Sequence, residues 1–212
     1  MNVLSLFDGM SCGQIALQRA NIDYCNYFAS EINKQSISIT QRNFPNTIQI
    51  GDVQKVSYKN GILSTENGIF EIGKIDLLIA GSPCQGFSKA GKELNFNDER
   101  SKLYFDFIRI LKEVQPTWFL LENVKMKTEF SDIITEHLGV NPILINSRLV
   151  SAQDRKRLYW TNIKGVEQPK DKNISFQDIA PGWFCGCMRG RRVLNNRRCD
   201  YNKNVPIEQY IE

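Results

Sequence analysis

The sequence contains no apolar run of the roughly 20 residues that a membrane-spanning helix requires. Its start, residues 1–8, lacks the basic segment and the small-residue cleavage site of a secretory signal peptide. We therefore expect a cytoplasmic protein, whose 6 cysteines are reduced rather than joined in disulfides. Internal repeats and low-complexity segments are also absent, which excludes repeat architectures.

Histidine is almost absent, since His137 is the only one in the chain. Cys185, Cys187 and Cys199 form a C-x-C pair plus one further cysteine, and this spacing does not match the common zinc sites. We therefore expect no metal site. We also expect His137 to lie on the surface of a helix rather than to act in catalysis.

What the chain does contain is the composition of a globular protein. Its 212 residues, 42% hydrophobic and 24% charged, suffice for one core and a small appendage. The net charge of +4 is mild and does not by itself indicate nucleic acid. At about residue 166 the character changes to a polar linker, so we expect one domain over residues 1–165 and a separate region over 166–212.

Short apolar runs alternate with helical patterns along the first 165 residues. The runs are rich in branched and aromatic residues, as parallel strands buried on both faces should be. The predicted strands are 3–7, 24–30, 75–80, 117–122, 143–146 and 158–163, and the predicted helices are 13–20, 34–43, 101–113 and 129–138. This alternation predicts an α/β fold with a doubly wound, mostly parallel, Rossmann-like sheet. Residues 56–73 are interpreted as a hairpin-like insertion.

The first strand runs into a glycine-containing turn, residues 7–13, that opens a helix. Its spacing is not the GxGxxG of pyrophosphate-binding folds, which disfavours a nicotinamide dehydrogenase. Glu31 ends the second strand, where a carboxylate can accept hydrogen bonds from ribose hydroxyls. Asp52 follows the next apolar stretch and could accept a hydrogen bond from the amine of an adenine. The alternative is that each carboxylate serves only a loop or caps a helix.

Together these positions favour an adenosyl ligand without pyrophosphate, such as S-adenosylmethionine. The residues expected to contact it are those of the turn and of the two acidic positions with their neighbours: Phe7, Asp8, Gly9, Gly13, Glu31, Ile32, Asp52 and Val53.

The stretch GSPCQGFS, residues 81–88, follows the predicted strand 75–80. Glycine and proline allow a sharp, stiff turn there, and the carboxyl end of such a strand is where α/β enzymes carry reactive groups. Cys84 could present a thiolate, the nucleophilic form of cysteine, from this turn.

Two further motifs carry charged residues next to strands. Glu122 ends the apolar strand 117–122, where a carboxylate is costly unless it is paired or functional; the alternative is a helix cap. Arg155 and Arg157 precede a predicted strand, and alternation points them to the same face, which suits an anionic or carbonyl-rich ligand. The alternative for this pair is a solvated basic face.

The motifs FDGMSCG, GSPCQGFS, ENV and QDRKR, in that order, resemble those of the DNA (cytosine-5)-methyltransferases. The stretch DERSKLYF, residues 98–105, also resembles the segment that this family carries between the cysteine loop and ENV. The similarity spans about residues 3–163, and the opening resembles the variant found in de novo-type and in phage or bacterial enzymes.

The resemblance implies a mechanism on a cytosine flipped out of double-stranded DNA. Cys84 would add to carbon 6, Glu122 would contact N3 and the exocyclic amine, and Arg157 would bind the 2-carbonyl oxygen. Arg155 would steady the catalytic loop or a phosphate. Carbon 5 would then take the methyl group of S-adenosylmethionine. Pro83 and Leu103 join the expected donor-binding residues, and Gln85, Ser88 and Lys89 join the expected DNA-binding ones.

The family's later motifs, which support target recognition and complete the cofactor pocket, are not found in the sequence. Arg189, Arg191 and Arg192 follow the core in a basic, aromatic-flanked stretch that predicts the start of a DNA-binding, target-recognition region; the alternative is a charged tail. Residues 1–165 would then be the catalytic and cofactor-binding domain. A truncated gene, a second chain that supplies the missing motifs, a natural short form and a DNA-binding regulator without turnover remain open.

Overall fold

The computed structural model describes residues 1–82 and 99–179. The strands are β1 (Asn2–Leu6), β2 (Asn26–Ser30), β3 (Ile48–Gln49), β4 (Ser57–Lys59), β5 (Ile62–Thr65), β6 (Gly68–Glu71), β7 (Leu77–Ala80), β8 (Trp118–Val124), β9 (Ile143–Asn146) and β10 (Lys156–Thr161). The α-helices are α1 (Cys12–Arg19), α2 (Lys34–Asn43), α3 (Glu99–Val114), α4 (Thr128–Leu138) and α5 (Phe176–Ile179), and two short 3₁₀ helices lie at Val53–Lys55 and Ser147–Leu149.

Seven strands form one sheet in the order β3-β2-β1-β7-β8-β10-β9. The pairs β1–β2, β1–β7, β2–β3 and β7–β8 are all parallel. The chain builds outward from β1 in one direction through β2 and β3, and in the other through β7 and β8. The predicted doubly wound, mostly parallel α/β sheet is therefore confirmed, and its switch point lies between β1 and β7.

The central strands form because nearly every side chain on them can be buried. In β1, Val3, Leu4 and Leu6 are fully buried, and Leu78 of β7 is as well. One face of the sheet packs against α1, in a cluster that combines strand residues with one helix residue: Val3, Tyr27, Ala29, Leu77 and Leu17. This two-sided burial explains the continuous apolar runs in the sequence.

The insertion is larger than the predicted hairpin, because β4, β5 and β6 form a separate antiparallel sheet of three strands. The first turn uses Asn60 and Gly61, both at positive φ, as tight hairpins require. Three-residue β4 is too short to show alternation, which is why the sequence did not predict it. The inner face of the sheet carries Leu63, which is fully buried, and Phe70, whose ring meets Phe28 edge-on.

Most element boundaries differ from the prediction by one or two residues, and two of these differences concern expected site residues. β8 continues through Glu122 to Val124, and β10 begins at Lys156.

The chain divides into two compact units: Met1–Ile143 with Leu158–Val166, and Leu144–Arg157 with the described chain from Glu167 onward. Within the described residues, every helix is too short or too polar to cross a membrane.

Candidate active site

The positions of three expected site residues follow directly from the strand register. Leu6, Ser30, Ala80 and Leu121 lie side by side on the four central strands. The next residue on each strand therefore lies at the carboxyl edge of the sheet: Phe7, Glu31, Gly81 and Glu122. We call these four residues the edge row. Neighbouring strands lie about 4.8 Å apart, so Glu31 and Glu122 are roughly 14 Å apart along the edge.

The turn after β1 is held from inside by Asp8. Its Oδ1 accepts hydrogen bonds from the hydroxyls of Ser5 at 2.6 Å and Tyr27 at 2.8 Å, and its Oδ2 accepts one from Ser11. The backbone amide of Asp8 donates to the Ser30 carbonyl at 3.1 Å. Both oxygens of Asp8 thus shape the turn and tie it to β2.

The same turn contains three positive-φ residues within a stretch of five. Phe7 has a φ of 56°, Gly9 of 62° and Ser11 of 58°. Non-glycine residues adopt this conformation only where the surroundings enforce it, and such sites cluster at binding sites. A Cβ atom added to Gly9 would meet nothing within 4 Å, so the turn leaves open space beside this backbone.

Gly13 has the opposite surroundings. A Cβ atom there would lie 2.7 Å from the Tyr27 hydroxyl oxygen and 3.3 Å from Cδ1 of Ile79. Gly13 therefore lets α1 approach the Tyr27–Asp8 hydrogen bond closely. The structure gives this expected cofactor residue a packing role.

Glu31 connects the ends of β1 and β2. Its Oε2 accepts a hydrogen bond from the Gly9 amide at 2.8 Å, and its Oε1 accepts from the amides of Ile32 and Asn33, each at 2.8 Å. Capping of α2 falls to the Asn33 side chain instead, which accepts from Gln35 and Ser36. Ile32 is 70% exposed, so an apolar side chain stands beside the Glu31 carboxylate.

Asp52 shows the capping arrangement that the sequence left as an alternative. Its Oδ1 accepts from the Gln54 amide at 3.0 Å at the start of the 3₁₀ helix. Its own amide donates to Glu66 Oε1 at 2.7 Å, from the turn between β5 and β6. Val53, next to it, is almost fully buried.

Glu122 lies within β8 and does not cap a helix. The N-cap of α4 is Lys127, five residues later. A Cβ atom on Gly81 would lie 3.6 Å from Glu122 Oε2, so this carboxylate reaches over the end of β7, the strand that leads to Cys84. The adjacent Asn123 is buried and donates from Nδ2 to the Ser82 hydroxyl at 3.2 Å.

Arg155 and Arg157 belong to the second compact unit. Asn146 Oδ1 accepts from the amides of Arg148 at 3.2 Å and Arg155 at 3.1 Å, while its Nδ2 donates to Asp154 at 2.7 Å. One side chain therefore closes the loop that carries Arg155. The Arg155 side chain is exposed and Arg157 is half-buried, and only Arg157 lies within β10.

Eight of the expected site residues lie outside the described part of the chain: Pro83, Cys84, Gln85, Ser88, Lys89, Arg189, Arg191 and Arg192. The cysteines considered for zinc, from Cys185 on, lie outside it too. Leu103 is half-buried on α3. His137 is exposed on α4, as expected, and its Nδ1 lies 3.0 Å from the Tyr104 hydroxyl oxygen.

Sequence reasoning missed Glu66 and Arg109, which form hydrogen bonds with backbone groups of the segment from Gly51 to Val56. Glu66 lies 14 residues and Arg109 more than 50 residues from their partners, so no local pattern could have indicated either contact.

The family model described as C-5 cytosine-specific DNA methylase matches residues 1–181. The orphan methyltransferase M.SPRI of Bacillus phage SPR is 32% identical over 189 residues, covering 82% of this chain and 39% of that relative. The type II methyltransferase M.NgoBV of Neisseria gonorrhoeae is 37% identical over 202 residues, covering 81% of this chain and 45% of the relative. This chain thus spans less than half the length of either relative.

Solved structures show the same fold. A prophage-encoded E. coli protein described as a DNA modification methyltransferase matches with a TM-score of 0.58 and 28% identity, covering 76% of this chain and 46% of that one. The DNMT2 protein of Spodoptera frugiperda matches with a TM-score of 0.53 and 22% identity, covering 82% of this chain and 54% of that one.

Proposed function

The chain belongs to the C-5 cytosine-specific DNA methylase family, and from that premise we propose that it transfers a methyl group from S-adenosylmethionine to carbon 5 of cytosine in double-stranded DNA. The observation that carries the proposal is the edge row. It brings the adenosyl-binding candidates Phe7 and Glu31 and the catalytic candidate Glu122 to one level of the sheet, on either side of the switch point.

The residues at β1 and β2 fit a nucleoside without pyrophosphate. The backbone at Gly9 borders open space, and Ile32, which follows Glu31 in the chain, has an exposed apolar side chain. Glu31 accepts from three backbone amides, which fixes its carboxylate where it can also accept from ribose hydroxyls. When bound, S-adenosylmethionine supplies an electrophilic methyl group. Phe7, Glu31, Ile32, Asp52 and Val53 would hold its adenosyl part.

The residues at β7 and β8 supply the activation of cytosine. Cys84 comes three positions after Gly81 in the sequence, and three residues of chain span at most about 11 Å. The Glu122 carboxylate already reaches over Gly81. A thiolate and a carboxylic acid can therefore act on the same ring.

In the proposed reaction, the Cys84 thiolate forms a bond to carbon 6 of the cytosine while Glu122 delivers a proton to N3. The electron pair that this places on carbon 5 would form the new bond to the methyl group as the bond between that methyl group and the donor's sulfur breaks, and the donor would leave as S-adenosylhomocysteine. The proton on carbon 5 then leaves to a base, Glu122 recovers its proton from N3, and the bond between sulfur and carbon 6 breaks. Aromaticity and the free thiolate are restored, so atoms and charge balance.

The ring must leave the duplex for this attack, because stacking hides carbon 6. Extrusion costs a few kcal/mol that contacts with the flipped base must offset. Arg157 would bind the 2-carbonyl oxygen and Arg155 a phosphate or the catalytic loop. Gln85, Ser88 and Lys89, together with Arg189, Arg191 and Arg192, would contact the DNA.

The test is transfer of a labelled methyl group to duplex DNA by the wild-type chain and by Cys84→Ser, with Cys25→Ser, at an exposed cysteine outside the proposed site, as the control. We expect label in DNA from wild type and Cys25→Ser and none from Cys84→Ser. A duplex with 5-fluorocytosine has no proton on carbon 5 to lose, so the enzyme stays bonded to carbon 6. This duplex should form a covalent adduct with wild type and Cys25→Ser but not with Cys84→Ser. Equal transfer by Cys84→Ser would refute the assigned nucleophile.

A second candidate is a partner-dependent or regulatory relative, favoured by the coverage of only 39% and 45% of the two relatives. DNA binding without methyl transfer or adduct formation in any variant supports a regulator. Transfer that appears only when the C-terminal half of a longer relative is added as a second chain supports a partner-dependent enzyme.

A further inference from the structure

The segment from Gly51 to Val56 is held from two sides by side chains outside it. On one side, Glu66 in the turn between β5 and β6 accepts from the Asp52 amide at 2.7 Å and pairs with Lys55. The neighbouring Asn67 donates to the Gln49 carbonyl at 3.0 Å. The turn between β5 and β6 of the three-stranded insertion therefore holds this part of the chain through hydrogen bonds and an ion pair.

On the other side, Arg109 of α3 donates to two backbone carbonyls of the segment, Val56 at 2.7 Å and Val53 at 3.4 Å. Its guanidinium is itself oriented by Asp106 at 3.0 Å and Glu113 at 3.1 Å, one turn away on either side of the same helix. Glu113 also accepts from the Tyr58 amide at 2.9 Å, which extends the contact into β4.

These contacts are additional to those that the segment makes within itself. The 3₁₀ helix already has its Asp52 cap, and its valines, Val53 and Val56, are almost fully buried. A planar guanidinium that donates to two carbonyls fixes the direction of both peptide groups, because its donors have a fixed geometry. What the contacts fix is the segment that presents Asp52 and Val53.

We propose that Arg109 and Glu66 are positioning residues for the methyl donor: they hold the segment from Gly51 to Val56 in the conformation that receives the adenine, without touching the donor themselves. This inference rests on the proposed function and extends it to two residues that no motif of the sequence singled out. It also gives the three-stranded insertion a role, since that insertion supplies Glu66.

The test compares wild type with Arg109→Met, Arg109→Lys and Glu66→Gln, and uses Lys112→Met as the matched control on an exposed position of the same helix. Two quantities are measured at a temperature where all five proteins are folded. The first is the dissociation constant for S-adenosylhomocysteine by calorimetry, and the second is amide hydrogen exchange over residues 52–56 without ligand.

We expect Arg109→Met to weaken binding about tenfold, as loss of charge-assisted hydrogen bonds does, and to speed exchange over residues 52–56 while exchange at Gly9 and Ile32 stays unchanged. Arg109→Lys should recover part of both effects, Glu66→Gln should produce smaller changes in the same direction, and Lys112→Met should produce neither.

Unchanged exchange in Arg109→Met overturns the proposal, and so does faster exchange with unchanged affinity. Failure of the wild-type chain to bind S-adenosylhomocysteine overturns the proposed donor site instead. Exchange over residues 52–56 then still decides whether Arg109 holds the segment.

Discussion

Glu31 Oε2 accepts a hydrogen bond from the backbone amide of Gly9 at 2.8 Å, across the gap between the ends of β2 and β1. The carboxylate that was expected to contact the ribose thus also holds the turn on which the adenosyl group would lie. Local structure depends on this side chain, and under the proposed function donor binding depends on it too, so a single substitution should affect both.

We expect Glu31→Gln to lower the free energy of unfolding by about 2 kcal/mol, because an amide NH₂ then faces a backbone donor. Donor affinity should fall about tenfold or more. Denaturant unfolding and calorimetry measure the two effects. Glu71→Gln, at an exposed position on β6, is the control and should change neither; a loss of affinity with full stability would show that Glu31 serves the ligand alone.

Gly13→Ala should destabilise the protein by about 1 kcal/mol, because an overpacking cost of about 2 kcal/mol exceeds the gain in helix propensity. The contact responsible is the 2.7 Å approach to the Tyr27 hydroxyl. In a Tyr27→Phe background the cost of Gly13→Ala should therefore shrink.

Gly9→Ala, measured in the wild-type and Tyr27→Phe backgrounds, is the control for Gly13→Ala. Its cost comes from a φ of 62° and not from a neighbour, so it should be the same in both backgrounds. Equal costs of Gly13→Ala with and without the hydroxyl, measured by urea unfolding, would contradict the close contact.

Asn123→Ala should cost about 2 kcal/mol of stability, since it removes the partner of the buried Ser82 hydroxyl and the acceptor of the Val124 amide. Because the Ser82–Asn123 bond is shared, Ser82→Ala and Asn123→Ala should be less costly together than the sum of the two. A double-mutant cycle by denaturant unfolding measures this coupling. Strict additivity would mean that the hydrogen bond contributes nothing.

Alkaline pH should destabilise the fold through Tyr27. Burial, and next the nearby Asp8 carboxylate, raise the pKa of Tyr27 above its ordinary value. The hydroxyl therefore stays protonated in the folded state, while above about pH 10 the unfolded chain releases this proton. Unfolding then releases a proton, and stability decreases as the pH rises, by about 1.4 kcal/mol per pH unit.

Urea unfolding between pH 8 and pH 11 checks this sign. Tyr104, whose pKa burial also raises, should add a similar slope, so Tyr27→Phe should remove only part of the pH dependence. Identical slopes in wild type and Tyr27→Phe would show that Tyr27 ionises equally in both states.

Much of this fold is predictable from the sequence because burial on both faces leaves continuous apolar runs, as in β1 and β7. The helix Lys34–Asn43 was predicted at its observed bounds, since its Asn33 cap and its apolar spacing are local features. Two-residue β3 and three-residue β4 carry too few side chains for any period to appear. β3 forms because it pairs with β2, and β4 forms because it pairs with β5 and contacts α3 through the hydrogen bond from the Tyr58 amide to Glu113.

The candidate site residues likewise fall into those that local sequence features reveal and those that depend on tertiary contacts. The position of Glu31 could be predicted from the end of its strand, because the carboxyl edge of a parallel sheet gathers such residues, and Glu122 stood out as a carboxylate in an apolar strand. The role of Gly13 in packing against Tyr27 could not be predicted, since it depends on how closely α1 approaches β2. The hydrogen bonds from Arg109 to the Val53 and Val56 carbonyls depend on where α3 packs, and no local sequence pattern determines that position.

The strand order also predicts an order of events in folding. β1 pairs with β2 across 24 residues of chain but with β7 across 74, judged from the partners of Val3. Closing the longer loop costs more chain entropy and comes later. We therefore expect the half of the edge row that contains Phe7 and Glu31 to form first, as a local unit. The half that contains Gly81 and Glu122 should join it only when β7 inserts beside β1, so the two halves of the proposed site should come together late in folding.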